Sequence, residues 1–342
     1  MKLRSIGIGF LIVTVSGLIW IAAVGSQQAA VITAVKVAKE PALDGKVDAL
    51  WSKAKAVKIP VTGGANFPNG GTEVTLKAVY TDTDIFFLAQ WRDKTQSFQR
   101  FPWKKQPDGS WLQLKDPNDK GNDSNKYYED KLAMLWNINI AGFESAGCMV
   151  ACHAGESGKP FGNKYTANPG ETGDLWHWKS VRTGPVGQMD DQYLDSTRYD
   201  KDKSPDAGRK SDPKTAGGYN DNINEAKTGP KWAAKGNKPA TPYWILDSEK
   251  ETIDETKYKP GDEVAGIVIA PLVGDRGDIT AGAVWEKGVW TVEIARKLKT
   301  SSKFDVQFDD LGKAYAFGVA VFDNAQVRHA FATAPQKLVF GK

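Results

Sequence analysis

From residue 35 to about 140 the apolar residues fall in short runs of strand length, broken by Gly, Pro, Asn and Asp, and the same rhythm returns after residue 263. Val74–Tyr80 and Ile85–Trp91 flank Thr81-Asp82-Thr83-Asp84, which predicts a hairpin with a four-residue turn. Lys131–Ile138 predicts a further strand rich in large apolar side chains, and Glu263–Ala270 another. Gly282–Trp285 and Val289–Ala295 flank Lys287-Gly288 as a second hairpin, and Tyr315–Phe322 is the last clear strand before a turn at Asp323-Asn324. Leu43-Asp44-Gly45 followed by Ala49-Leu50-Trp51 reads as a turn and a short helical piece that anchors a tryptophan. Many short strands with Gly and Asp turns predict a mainly β fold, an immunoglobulin-like or carbohydrate-binding-module-like β-sandwich.

Between the two β halves the pattern changes. Ala154 to about Pro242 is dense in Gly, Pro, Asn, Asp and Lys and carries little periodicity. It predicts a loop-rich, partly helical insertion over about 144–250, with Asp200–Lys214 as a mobile surface excursion. Trp176, Trp178 and Tyr193 are costly to leave in water, so the part that carries them is expected to wrap over a bound group.

The first residues add a compartment. Lys2 and Arg4 precede an apolar run from Ile6 to Gly25, and Ala23-Val24-Gly25 offers small residues for cleavage before Ser26. Residues 1–25 are expected to be a signal peptide, although the run is also long enough to stay as a membrane anchor, since ~20 apolar residues span a bilayer. Residues 26–342 are then the functional domain, periplasmic or on the outer face of an energy-transducing membrane. Losing Lys2 and Arg4 lowers the net charge from +4 to +2. With no basic run to offset that balance, nucleic acid is excluded as a partner.

Only two cysteines and three histidines occur in the chain, and three of these five stand together in Cys148-Met149-Val150-Ala151-Cys152-His153. C-x-x-C-H attaches c-type haem: two thiols add to the vinyl groups and the adjacent imidazole ligates the iron. Here the spacing is one residue longer, which a tight loop can absorb. The structural alternative is a disulfide, but cysteines four apart close a small, strained ring that adds little stability. The reading is one covalent haem c on Cys148 and Cys152, with His153 as the proximal metal ligand. His177 and His329 compete for the opposite face of the iron. Met134, Met149 and Met189 are the sulfur options, and Met149, inside the attachment loop, cannot reach across. Trp176 and Trp178 are expected to shield the porphyrin from water. Glu129-Asp130 and Asp190-Asp191 are expected in solvated turns or salt bridges rather than in acid–base catalysis, with calcium at Asp190 or Asp191 left open. No H-E-x-x-H, Walker, G-x-S-x-G or Rossmann pattern is present.

In order along the chain, Leu43-Asp44-Gly45 with Trp51, Tyr80 through Trp91-Arg92-Asp93, and Tyr128–Ala133 resemble the haem-binding domain of ethylbenzene dehydrogenase-type proteins. These are haem subunits of molybdenum enzymes of the dimethyl-sulfoxide-reductase class. Gly147–His153, Asp174–Lys179 and Asp190–Tyr193 look like the covalent-haem branch, and the haem subunit of nitrite oxidoreductase is similar. The resemblance covers most of the mature chain. In the non-covalent branch it implies a strand methionine and a C-terminal lysine as ligands. Met134 lies in the matching strand, while Arg328-His329 stands where that lysine is expected. The resemblance therefore implies His329 as the distal ligand, with His177 as the alternative and a second, non-covalent haem b on Met134 or His177 as the lesser reading. A haem with both axial positions filled by side chains moves electrons and catalyses nothing by itself. The implied partners are a molybdenum catalytic subunit, an iron–sulfur subunit and a downstream cytochrome or quinone-linked acceptor. The rivals are a non-redox ligand-binding β-sandwich and a haem enzyme or sensor with an open iron position.

Overall fold

The computed structural model describes residues 29–119, 123–153, 164–239 and 243–341. The expected signal peptide lies outside the described residues, as does the stretch 154–163 that follows His153. Among the described residues, no helix is long and apolar enough to cross a membrane.

Thirteen strands form one folded-over sheet. They are β1 (Val31–Lys36), β2 (Val57–Thr62), β3 (Gly71–Tyr80), β4 (Asp84–Arg92), β5 (Lys131–Asn137), β6 (Gly173–Lys179) and β7 (Asp190–Leu194). The rest are β8 (Arg209–Ser211), β9 (Thr280–Glu286), β10 (Val289–Lys297), β11 (Tyr315–Phe322), β12 (Ala330–Phe331) and β13 (Gln336–Phe340). One layer runs β9-β10-β4-β3-β2 and the other β8-β7-β6-β5-β11. Two bridges join the layers along one side. β12 links β2 to one half of β11, and the parallel pair β1–β13 links β3 to the other half. Along the opposite side, Met189 N–H donates to Ile279 O and Ala281 N–H to Gly187 O, so β9 meets the turn before β7. The result is a mainly β, sandwich-like fold, and both predicted hairpins and the strand Tyr315–Phe322 are present as expected.

Strand parity decides which side chains fill the sandwich. From β5, Leu132, Met134 and Trp136 enter the core; from β6, Trp176 and Trp178; from β11, Phe317, Val319 and Val321. They meet Phe87, Trp91 and Trp290 of the facing layer, with Trp178 4.9 Å from Trp290 and 6.2 Å from Trp91, and Trp136 5.6 Å from Phe87, ring centre to ring centre. Such aromatic pairs bury large apolar areas between two sheets.

The loop-rich insertion expected over 144–250 needs correction. β6, β7 and β8 lie within it and form the outer half of the second layer. Every residue of β6 is buried, so Gly-Asp-Leu-Trp-His-Trp-Lys shows no inside–outside alternation. Its polar members are buried because each finds a partner: Asp174 pairs with Arg296, His177 with Gln192 and Lys179 with Asp190. The stretch 200–214, read as a mobile excursion, contains β8, which pairs with β7. The strand predicted over 263–270 is broken at Ala265-Gly266. The Gly266 backbone is pressed against the Arg100 and Phe101 carbonyls, where no Cβ fits, and its two halves join different small sheets.

Candidate functional site

The outward residues of β5, β6 and β11 make a floor of small side chains. His177, Ala133, Ala320 and Phe331 are successive cross-strand partners on β6, β5, β11 and β12. Two alanines thus lie between an imidazole and a phenyl ring. In the adjacent row Leu175, Leu135 and Gly318 are partners. Glycine at 318 lets Cys148 lie directly on the sheet, because a Cβ there would fall on its sulfur.

The segment after β5 roofs this slot. Asn137 Oδ1 accepts the Ile140 N–H at 2.8 Å and turns the chain into one helical turn, Phe143–Ala146, followed by the 3-10 turn Gly147–Val150. Phe143 and Ala151 pack against Leu135, Leu175 and Leu194. The Cys148 carbonyl then accepts both the Ala151 N–H (3.1 Å) and the His153 N–H (2.9 Å). That fold brings Cys148, Cys152 and His153 to one cavity, which also takes in His177 and His329; with its open mouth it encloses about 820 Å³. The two cysteines are free thiols and form no disulfide.

The imidazoles are oriented. His329 Nδ1 lies 2.7 Å from Val327 O, which places the proton on Nδ1 and leaves Nε2 bare. That Nε2 faces His153 Nε2 at 3.3 Å, while the His153 ring stacks on Phe331 at 3.9 Å. His177 Nδ1 donates to Gln192 Oε1 at 3.1 Å, and its buried Nε2 has no partner. Burial pushes the His153 pKa down. Burial, with His153 beside it, holds His329 down to about 3, and burial together with the charges of Lys179 and Lys131 holds His177 well below its ordinary value. All three rings are therefore neutral near pH 7, the form that binds a metal. Burial pushes the Cys152 thiol up to about 11, and burial with Cys152 nearby pushes Cys148 up further. Neither is a thiolate at neutral pH, so the pair is not poised for disulfide exchange. Lys164 and Arg209 line the cavity and share the single carboxylate of Asp206, at 3.5 and 2.9 Å. Two cations against one carboxylate leave a positive edge on an otherwise apolar slot.

These features fit a haem. Two metal–imidazole bonds of about 2 Å each ask for a separation of about 4 Å between facing Nε2 atoms, a small side-chain shift from that observed. The small-residue floor leaves room for a flat ring, the two thiols stand on one wall, and the cationic edge suits carboxylates.

Three expected contributors are not at the cavity. Met134, Trp176 and Trp178 project from the inner face of β5 and β6 into the core, so they neither ligate nor shield a group bound on the outer face. Their parity is opposite to that of Ala133 and His177, one residue away. Met189 is also buried in the core and Met149 is exposed. Of the two settings expected for the acidic pairs, the structure has the salt-bridged one and not the solvated turn: Glu129, Asp130, Asp190 and Asp191 are fully buried. Glu129 accepts the Val181 and Arg182 N–H groups and pairs with Arg182, while Asp130 accepts from Ser97 N, Asn324 N and Trp290 Nε1. Asp190 pairs with Lys179 and Arg276. Sequence reasoning missed Gly318, Phe331, Lys164 and Arg209, none of which lies in a motif, and gave Gln192 no role although it lies in Asp190–Tyr193. Only the register of β5 against β11 pointed to Ala133 and Ala320.

Fold and cavity define a β-sandwich protein that presents thiols and neutral imidazoles to one slot. The chain belongs to the ethylbenzene dehydrogenase family, whose sequence profile matches residues 48–334 and with them every residue that lines the cavity. Membership implies a component of an ethylbenzene dehydrogenase-like, multi-subunit oxidoreductase. No protein of curated function matches the chain in sequence. Among solved structures, a family 9 carbohydrate-binding module from Caldicellulosiruptor kristjanssonii in complex with cellotriose is similar at 10% identity and a TM-score of 0.36, covering 91% of this chain and 95% of that one. The module from the same organism in complex with glucose is similar at 10% identity and a TM-score of 0.34, covering 92% and 97%. A likeness that distant says nothing about a ligand here.

Proposed function

We propose that this chain is an exported electron-transfer subunit that carries one covalent haem c in the cavity. The observation that carries the reading is the facing pair of imidazole nitrogens, His153 Nε2 and His329 Nε2, on a slot that also holds both thiols. Cys148 and Cys152 would provide the thioether links, His153 and His329 the axial ligands, and Lys164 and Arg209 the counter-charge for the propionates. The haem supplies one-electron transfer. The protein's own residues do the rest. Val327 fixes the His329 tautomer, burial keeps both imidazoles neutral, and Leu135, Leu175, Phe322 and Phe331 keep water from the ring. With both axial positions taken, the subunit moves electrons between partners. Family membership supports a molybdenum catalytic subunit and an iron–sulfur subunit on one side, with a cytochrome or quinone-linked acceptor on the other. The signal-like segment 1–25 supports a periplasmic location or the outer face of an energy-transducing membrane.

The test is haem extraction from protein matured in an exporting host. Acidified acetone should leave the haem on the polypeptide, and the double variant Cys148→Ala/Cys152→Ala should release it. Native protein that surrenders all its haem to the solvent, or matures without a visible haem band, would overturn the reading.

A further inference from the structure

A second cluster lies between the two layers, behind the wall that carries His177. Asp174 is on β6 and Asp191 on β7, both on the face opposite the cavity, and Asp305 comes from the loop after β10. Their exposures are 0, 0 and 4%, and each offers an oxygen within 4.8 Å of the other two. Part of this cluster is well satisfied. Asp174 Oδ2 accepts from Trp176 Nε1 (3.0 Å), Arg296 Nη1 (2.7 Å) and Val306 N (2.9 Å), and Asp305 Oδ2 accepts from Thr300 Oγ1 at 2.6 Å. The remaining oxygens are not: Asp174 Oδ1, Asp305 Oδ1 and both oxygens of Asp191 receive no N–H or hydroxyl donor, and the neighbour within reach of Asp191 is another carboxyl, Asp278. A buried carboxylate with two bare oxygens is a costly thing to keep.

Charge sharpens the point. Asp278 stands beside Asp191 at the exposed rim, and Asp212, itself buried with a bare Oδ1, adds to the field on Asp174 and Asp305. Arg296, buried and paired with Asp174 and Asp305, is the cation in their midst. Five carboxyl groups thus stand around one guanidinium, four of them buried and Asp278 at the rim. Burial and the neighbouring acids push Asp191 well above the usual carboxylate range, in keeping with that excess.

We propose that Asp174, Asp191 and Asp305 bind a calcium ion that ties the two layers of the sandwich together. Calcium takes six to eight oxygens at about 2.3–2.6 Å in flexible geometry. Oxygens up to 4.8 Å apart can share such a centre, since that is close to twice the bond length. Asp174, Asp191 and Asp305 would each supply an oxygen, and water would complete the shell. Magnesium suits the site less, because it demands a near-ideal octahedron. The ion would link β6 and β7 to the loop that leaves β10, and so would stiffen the wall behind His177. A second acidic group, Asp93, Asp130 and Asp323, carries no such proposal: both oxygens of Asp130 are already taken by Ser97, Asn324 and Trp290.

The test is independent of the haem, because chelators leave a thioether-bound haem in place. Mature full-length protein purified without chelator should contain about one calcium per chain by elemental analysis. Dialysis against EDTA should lower its melting temperature, and calcium at a hundredfold excess over its dissociation constant should raise it again by roughly 4 °C or more, with equimolar magnesium doing much less. Asp191→Asn should abolish this response, whereas Asp93→Asn should retain it. Should Asp191→Asn fail to fold, the calcium content and EDTA response of the unaltered protein decide alone. Protein that retains no calcium and melts at one temperature with EDTA or millimolar calcium overturns the proposal. So does an Asp191→Asn variant that is more stable than the parent regardless of calcium, since the cluster would then be holding protons.

Discussion

Replacing Gly318 by alanine should damage the cavity floor through one atom. The Gly318 backbone is not left-handed, so alanine is conformationally acceptable, and in a strand it should gain ~0.5–1 kcal/mol from reduced unfolded-state entropy. Against this, the new Cβ would lie 2.2 Å from the Cys148 sulfur, too close for any contact, and 3.8 Å from the Cys148 Cβ, an ordinary contact. Only the sulfur has to move. A free thiol can rotate away at about 0.5–1.5 kcal/mol. A sulfur fixed in a thioether cannot, and overpacking then costs about 1–3 kcal/mol. The measurement is a double-mutant cycle of Gly318→Ala and Cys148→Ala on matured protein, by urea unfolding followed by circular dichroism. We expect a coupling of about 1–3 kcal/mol, with alanine at 318 stabilising once the sulfur is gone. Additive effects, with coupling below about 0.5 kcal/mol, would refute the claim that Cys148 lies on the sheet over Gly318.

His329→Ala should open a coordination position and yield a haem that binds carbon monoxide on reduction, whereas His177→Ala should not; the reverse result would transfer the ligand to His177. Trp178→Phe should cost about 1–3 kcal/mol of stability yet leave the visible haem spectrum unchanged, because Trp178 faces the core; a shifted Soret band would refute that placement. Burial alone would raise the Asp190 pKa, but the charges and hydrogen bonds of Lys179 and Arg276 outweigh it and hold it below the ordinary value. Its folded pKa is thus depressed. Its contribution is complete above the unfolded value of about 3.9 and fades as pH falls below that, so the melting temperature should drop progressively below about pH 4. Asp190→Asn should lack this component of the slope and lose roughly 3–5 kcal/mol at pH 7, for it strands Lys179 in the interior; a neutral effect would show that the network holds without it.

The hairpins and the strand Tyr315–Phe322 were legible because their apolar residues alternate or run together between Gly and Asp turns. β6 was not. A strand covered on both faces loses its alternation, and Asp174, His177 and Lys179 look like loop residues until Arg296, Gln192 and Asp190 are seen beside them. The cysteines and His153 were legible as a motif, and His329 as a rare residue soon after the strand Tyr315–Phe322. Facing by Met134, Trp176 and Trp178 was not, because parity says only that neighbours differ and never which of them faces in. The bare oxygens of Asp191 lay beyond any reading of the chain, since only the fold shows which donors never arrive.

His153 and His329 are 176 positions apart. A ligand held by both is, in polymer terms, a removable cross-link that closes more than half of the chain into one loop. The chain-entropy estimate for a loop of that size is about 5 kcal/mol taken from the unfolded ensemble, as much as many whole domains possess. A ligand exchange at the iron that released His329 would therefore do more than change a redox potential. It would cut a tie that spans half of the chain, and the strands that flank His329, β11 and β12, would be the first to feel the loss.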